Sequence, residues 1–399
     1  MVILSPLELQ LEISRAFSPT APIDEKSLFS GRIEQLTSLI RAIGQKGQHA
    51  VLFGERGVGK TSLANVLASF IGTSNTIIAP RINCDAGDTF DSVWRKVFSE
   101  IVIARDVLPV GFIGSTEREA LPLDNLVPNQ LSPESVRRTL SQFGGGSITV
   151  VIIDEFDRLT QEVKRQVADT IKTLSDHAVS ATVVMVGVAD SVQELIEEHQ
   201  SVERAIVQIH MPRMAKKEIS AIIEQGMGRL NFTVDTEAMD RIVTLSQGLP
   251  HYAHLLGLHA AEIMAQNNLT SVTLPVVDKA ISNSLDNAQQ SIKTAWHTAT
   301  SSPRKDNLFS EVLMACALAK TDELGYFAAQ DVREPLGQIL GRQLEIANYA
   351  QHLSEFCGAK RGPVLQRIGG SRRYRFRFIN PLLQPFVVMQ GFSKNKIPH

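Results

Sequence analysis

Gly54-Glu55-Arg56-Gly57-Val58-Gly59-Lys60-Thr61 is spaced for gripping a chain of phosphates. The run fits the pattern G-x-x-x-x-G-K-[ST]. Its glycines let a loop wrap so that successive backbone N–H groups point inward at anionic oxygens. A helix beginning where the loop ends adds the partial positive charge of its N-terminus. In such a loop Lys60 reaches the β and γ phosphates of a nucleoside triphosphate and the Thr61 hydroxyl ligates Mg2+, with Ser62 next in the chain. A second constellation, Ile152-Ile153-Asp154-Glu155, ends an apolar run in two carboxylates. Asp154 would hold Mg2+ through its water shell, and Glu155 could polarise an attacking water. Taken alone, the pair serves as well to cap a helix starting near Phe156. Downstream of a phosphate loop in the same α/β pattern, the metal reading takes precedence.

Other reactive side chains carry weaker signals. Cys84 and His210 are lone residues on apolar segments, where packing is the ordinary role. His254 and His259 stand five apart in a helical segment, the wrong spacing for one shared metal. Cys84, Cys316 and Cys357 form no C-x-x-C pair, which excludes a disulfide scaffold, argues against zinc and fits a reducing compartment. Near the C-terminus Arg372, Arg373, Arg375 and Arg377 follow Gly369-Gly370. With the glycines as a two-residue hairpin turn, alternation sets Arg373, Arg375 and Arg377 on one face and Tyr374, Phe376 and Phe378 on the other.

Stepping from these residues to the chain that must hold them, 399 residues with 43% hydrophobic and 21% charged content suit two or three globular domains and exclude wholesale disorder. The net charge of -2 rules out global charge as a driver of nucleic-acid or membrane binding. It hides an asymmetry: beyond Glu355 there are nine Lys and Arg and no acid, so the rest of the chain carries -11. No run approaches the ~18 apolar residues of a membrane span, and Met1 to Glu12 lacks the basic start of a leader. The expectation is a soluble cytoplasmic protein with no membrane partner.

Hydrophobic periodicity supplies the elements. His49–Phe53, Ile77–Cys84 (weakened by Pro80), Ile148–Ile153, Ala181–Val188 and Ala205–Met211 read as strands. Helical spacing appears in Gly31–Ile43, around Leu63–Ile71 and in Val93–Ile101. Strands alternating with helices argue for a parallel sheet covered on both faces. The stretch holding Pro109, Pro122, Pro128 and Pro133 reads as an irregular insertion. After Met211 the segments 215–229, 236–246, 251–265 and 275–298 read as helices, and Ser301-Ser302-Pro303 as a linker.

These motifs together resemble the AAA+ P-loop ATPases, with Walker A at Gly54–Thr61 and Walker B at Ile152–Glu155. The branch is the one holding the replication-initiator ATPases and, nearby, the STAND signalling ATPases. Leu28-Phe29-Ser30-Gly31-Arg32 resembles the F-x-G-R entry motif beside the adenine pocket. Val186-Gly187-Val188-Ala189-Asp190 resembles the sensor 1 strand, with Asp190 where initiators usually carry Asn. Ser201-Val202-Glu203-Arg204 falls at the arginine-finger place. Gly248-Leu249-Pro250-His251 lies in the lid; His251 stands where initiators carry the sensor 2 arginine, and Gly248-Leu249-Pro250 is similar to the STAND GxP motif. The likeness covers about residues 25–300 and, less specifically, a C-terminal winged helix.

The resemblance implies an α/β P-loop NTPase (AAA+) parallel sheet with a helical lid and a C-terminal winged-helix domain. The expected divisions are an N-terminal extension over 1–24, the nucleotide-binding domain over 25–212, the lid over 213–302 and the winged helix with its basic wing over 303–399. ATP and Mg2+ are the implied cofactors. Gly54, Glu55, Arg56, Gly57, Val58, Gly59, Lys60, Thr61, Ser62, Pro250 and His251 would hold the nucleotide, and Thr61 and Asp154 the metal. Lys60, Glu155, Asp190 and Arg204 would serve hydrolysis. Asp190 can alternatively cap a helix before Val192, His251 can pack the lid, and Arg204 can be a solvated arginine. An ionised Asp190 is acceptor-only and the sensor 2 cation is missing, so hydrolysis should be slow. The implied function is an ATP-dependent switch that binds DNA through Arg372, Arg373, Arg375 and Arg377 and forms homo-oligomers. The alternative is a STAND-like signalling or assembly ATPase with a protein partner, as in defence or mobile-element systems; the arginines would then be solvated or paired with acidic surface.

Overall fold

The computed structural model describes residues 5–19, 31–72, 76–107, 117–143, 147–189, 192–195, 200–303, 307–322, 324–370 and 373–397. The chain divides into two compact units: a helical unit made of Met1–Gly31, Glu55–Gly59 and Pro212–His399, and an α/β unit made of Arg32–Gly54 and Lys60–Met211. In chain order the elements begin with α1 (Pro6–Ala16), α2 (Ile33–Ile43), β1 (His49–Gly54), α3 (Lys60–Ile71), β2 (Ile77–Ile78), β3 (Arg81–Asn83), α4 (Phe90–Ser99), β4 (Val102–Val107) and β5 (Glu117–Pro122). Next are α5 (Pro133–Phe143), β6 (Ile148–Asp154), α6 (Gln161–Asp176), β7 (Ala181–Val188), α7 (Val192–Leu195), α8 (Gln200–Glu203) and β8 (Ile206–His210). The helical unit continues with α9 (Lys216–Arg229), β9 (Thr233–Val234), α10 (Thr236–Ser246), α11 (Pro250–Asn267), β10 (Ser271–Val272), α12 (Leu274–Asp286) and α13 (Gln290–Thr300). It ends with α14 (Phe309–Leu318), β11 (Phe327–Ala328), α15 (Arg333–Leu340), α16 (Ile346–Phe356), β12 (Leu365–Ile368), β13 (Arg375–Phe378) and α17 (Leu383–Ser393).

The α/β unit is built on a parallel sheet in the order β2-β6-β7-β1-β8, with β3 also beside β6. Successive side chains of a strand point to opposite faces. Val151 and Ile153 of β6 and Val183 and Met185 of β7 therefore join one core with Trp94 of α4, Leu140 of α5 and Ile171 of α6. Val150 and Ile152 face the other way and are equally buried. That double burial explains why these strands read as continuous apolar runs. Pro80 supplies no N–H to the ladder, and the strand expected over 77–84 is split there into β2 and β3.

Further expectations need correction. The stretch expected to be irregular holds an antiparallel hairpin, with β4 and β5 paired from Val102↔Pro122 to Val107↔Glu117. The helix expected over 275–298 is two helices. α12 stops at the Asn287 cap, and Gln289, with extended backbone at φ -55° and ψ 137°, starts α13 afresh.

In the helical unit, α1 is anchored by its cap. The Ser5 hydroxyl accepts from Glu8 N–H, and Glu8 accepts from Ser5 N–H. Phe17, just past its end, is buried. The Phe17 ring fills the space where a Cβ would stand at Gly226 of α9 and Gly257 of α11, so only glycine fits at those two places. Farther on, β11, β13 and β12 form a three-stranded antiparallel sheet. β12 and β13 pair from Leu365↔Phe378 to Ile368↔Arg375. The hairpin connection is therefore longer than the expected Gly369-Gly370 turn. Gly369 is at φ 85°, and Arg373 N–H donates to Gly370 O at 2.8 Å, so the chain turns once more before β13 begins. Phe376 and Phe378 lie on the buried face and Arg375 on the exposed one.

Candidate functional site

The loop after β1 takes the conformation its glycines allow. Gly54, Gly57 and Gly59 stand at φ 150°, 88° and 96°, a region that L side chains rarely enter. Lys60, the first residue of α3, is 8% exposed, and its Nζ donates to Gly54 O at 3.0 Å. Arg56 is exposed and Val58 buried. Thr61 and Ser62 follow in the first turn of α3, half-buried. The Glu55 carboxylate belongs to the helical unit: Arg213 Nε donates to it at 2.7 Å, and Arg213 Nη1 donates to Gln384 Oε1 of α17 at 2.7 Å. Glu55 therefore turns its side chain to a cation and leaves its backbone for the loop. A Cβ at Gly57 would stand 3.0 Å from Leu382 Cδ2, and one at Gly59 would lie 3.7 Å from Pro250 Cγ.

At the end of β6, the side chain of Asp154 is only 4% exposed and both its oxygens are engaged. Arg81 Nη2 of β3 donates to Oδ2 at 3.0 Å, and Glu155 N–H donates to Oδ1 at 2.8 Å. Glu155 is left-handed at φ 54°, ψ 34°, which costs a non-glycine residue about 1–2 kcal/mol. Its half-exposed carboxylate accepts from Arg158 Nη1 at 2.8 Å. Cys84 packs beside this strand: its N–H donates to Asp154 O at 2.9 Å, and burial pushes its thiol up to about 12. His210 packs against Phe53, ring centres 5.2 Å apart.

Three residues escaped the motif reading. Arg81 and Arg213 are the cations on Asp154 and Glu55, and their only sequence signal is a basic residue opening a strand or following one. His49 of β1 is fully buried, its Nδ1 accepts Val183 N–H at 3.0 Å, and burial pushes its pKa down to about 4.

The remaining candidates lie elsewhere. Asp190 falls outside the described residues, as do Leu28, Phe29 and Ser30 of the entry motif. Gly31 and Arg32 both have positive φ, 73° and 61°. Arg204 is 78% exposed and pairs with Asp176 at 3.3 Å. Gly248 is at φ 73°, and Pro250 is the first residue of α11. His251 Nδ1 donates to Pro19 O at 2.7 Å, and burial holds its pKa below the usual histidine value. Arg372 lies outside the described residues and Arg373 is exposed. Arg375 pairs with Asp322 at 2.7 Å. Arg377 lies over the Tyr326 ring, 4.6 Å from its centre, and donates to Leu324 O at 3.3 Å. Among the described residues no group of three or more His, Cys, Asp or Glu could hold a metal, and no helix is long and apolar enough to cross a membrane.

Residues 43–196 match the profile of a family described as an AAA domain. The fold extends beyond that match. The Walker-type ATPase of Pyrococcus abyssi aligns over 92% of this chain and 98% of its own, at 15% identity and a TM-score of 0.56. The ORC2 protein of Aeropyrum pernix, solved in ADPNP-ADP complexes, aligns over 96% and 98%, at 14% identity and a TM-score of 0.50. No curated protein matches the chain. Residues 43–196 are thus similar to an AAA domain, and the chain shares its fold with those two structures.

Proposed function

We propose that the protein is an ATP-dependent switch with slow Mg2+-dependent ATPase activity, similar to the replication initiators, that acts on DNA through a C-terminal winged helix. The observation that carries the nucleotide reading is the Gly54–Lys60 loop, with three glycines at positive φ between a parallel strand and a helix N-terminus. Its donor set fits a polyphosphate. The backbone of Glu55, Arg56, Gly57, Val58 and Gly59, with Lys60 and Ser62, would hold the phosphates. Thr61 and Asp154 would hold Mg2+, which supplies charge neutralisation on the phosphate oxygens when bound. A Mg2+ site of this kind takes few protein ligands, because phosphates and water complete it.

Glu155 is the base in this reading. Its ion pair with Arg158 is half-exposed and so costs little to break. Slow turnover follows from the residues at the two sensor places that the resemblance implies. An ionised Asp190 has no proton to donate, and His251 is held neutral with its Nδ1–H on Pro19 O. Arg204, exposed on the α/β unit, is proposed to complete the site of a neighbouring copy. Pro250, against Gly59 in the helical unit, is proposed to close on the nucleotide. We divide the chain as extension 1–24, nucleotide domain 25–212, lid 213–302 and winged helix 303–399, the last supported by the order α14-β11-α15-α16-β12-β13. We place the protein in the cytoplasm, in keeping with its free cysteines.

A protein partner is the second reading, and one observation favours it: α16, Ile346–Phe356, contains no Lys or Arg. In a winged helix this is the helix that would meet the major groove, where a basic side chain is the usual reader of guanine. DNA affinity measured at 50 mM and 200 mM salt with ATP and Mg2+ separates the two. Binding that weakens steeply between them supports the initiator-like reading. No binding at the lower salt removes DNA and leaves the protein-partner switch.

A further inference from the structure

We propose that Arg81 is a built-in competitor for the metal: its guanidinium neutralises Asp154 and must move off that carboxylate before the water shell of a Mg2+ ion can use it. This rests on the ATP and Mg2+ reading above and adds a residue that no motif assigns. The strands fix the geometry. β3 pairs with β6 so that Arg81 is level with Ile152 and Asn83 with Asp154. Two residues of strand span about 6.6 Å, a gap a long arginine side chain covers. Its Nη2 ends 3.0 Å from Asp154 Oδ2, while Oδ1 is taken by Glu155 N–H. Each oxygen of this carboxylate thus accepts one hydrogen bond, and the one on Oδ2 carries a full positive charge. A divalent cation arriving there would meet a positive group already in place.

The pairing is needed when the metal is absent. The Asp154 side chain is 4% exposed, and a buried carboxylate without a countercharge is strongly destabilising. The Arg81 side chain is 26% exposed, so its charged end can return to water at little cost. It also has somewhere to go. Arg81 lines a shallow cleft of about 530 Å3 shared with Ser92, Arg95, Lys96 and Glu100. The two other cations are already paired, Arg95 with Asp91 and Asp124 and Lys96 with Asp85 and Asp88. Glu100 is exposed and offers a second carboxylate there. In this proposal Mg2+ arriving with a nucleotide moves the Arg81 side chain from Asp154, where it rests, toward the Glu100 side of the cleft. The consequence is ordered loading: metal alone binds poorly, and metal carried by phosphates binds well.

The test uses the full chain with Arg81 intact, Arg81→Gln and Arg81→Lys. Binding of a fluorescent ATP analogue is titrated with MgCl2 and repeated in EDTA, and melting is followed with and without MgCl2 alone. For Arg81→Gln the half-saturating Mg2+ concentration should fall about tenfold, as expected when one nearby like charge is removed. Its affinity in EDTA should move less than about twofold, since the change is confined to the metal step. Its metal-free melting point should drop because Asp154 has lost its partner, and MgCl2 alone should restore it, an effect absent in the parent. Arg81→Lys should keep the parent's Mg2+ requirement. An unchanged or higher requirement in Arg81→Gln, or an equal fall in Arg81→Lys, overturns the proposal while leaving the nucleotide reading standing. If the parent binds no analogue in excess Mg2+, the nucleotide reading itself fails and takes the proposal with it.

Discussion

The Gly54–Lys60 loop with the end of β6, and the arginine strand β13, are both charged constellations, yet they hold their charges in opposite ways. In the first, Lys60 and Asp154 are buried and their positions are dictated by strand ends: Lys60 caps Gly54 O, and Asp154 is gripped from two sides. On β13 the charges stand at the surface and find partners by rotation: Arg375 on Asp322, Arg377 on Tyr326 and Leu324 O. Spacing in the first case encodes a backbone path. In the second it encodes only which face a side chain leaves from, and says nothing of what that side chain touches.

The sharpest way to break this contrast is at Lys60. Lys60→Ala should abolish detectable ATP binding or turnover, with unchanged circular dichroism and melting within a few degrees. A variant that binds and hydrolyses ATP like the parent would show that the buried charge is structural. Glu155→Gln comes next: nucleotide binding should persist while turnover falls by about 10²–10⁴, the usual worth of a general base. Equal rates for variant and parent would return Glu155 to a helix-capping role.

A third measurement asks whether burial governs charge elsewhere in the α/β unit. His49 is neutral when folded, with a pKa pushed down to about 4 from 6.5. The unfolded chain therefore binds the proton more readily between those values, so the stabilising contribution is complete above pH 6.5 and is lost as pH falls toward 4. Up to about 3 kcal/mol should disappear across that window. His49→Gln should flatten this part of the urea-midpoint profile; an identical slope would assign the acid lability to other groups. The smallest effect belongs to the arginines. If DNA is bound, Arg373→Ala should reduce the log–log salt slope by about 0.9, one phosphate contact. Arg377→Ala should leave the slope unchanged, because its guanidinium is already engaged by Leu324 O. A reversed ranking would mean that β13 rearranges on binding.

What could be read from the sequence follows the same division. The loop and the end of β6 were legible because glycine spacing and an apolar run constrain the backbone directly. Arg81 was not, since it meets Asp154 across 73 residues and belongs to no motif. Nor was Arg361, counted among the C-terminal cations. It is buried over the Phe309 ring and donates to Ser301 O, so it adds nothing to a basic surface. The hairpin β4–β5 was hidden by the prolines around it, although Pro122 ends β5 without breaking the pairing. The break between α12 and α13 was hidden by helical periodicity that continues on both sides of it.

The ring of Phe17 that fills the space at Gly226 and Gly257 has a consequence in time. During synthesis residue 17 emerges 240 residues before residue 257. At translation rates of about 5–20 residues per second, that is a wait of roughly 12–48 s. Every strand of the parallel sheet is made within the interval, so the α/β unit has all its pieces before the helical unit can close on its own first segment. Until α9 and then α11 are made, an aromatic ring and an amphipathic helix have no native partner. The start of the chain is therefore made first in its unit and secured only after the whole α/β unit has been synthesised.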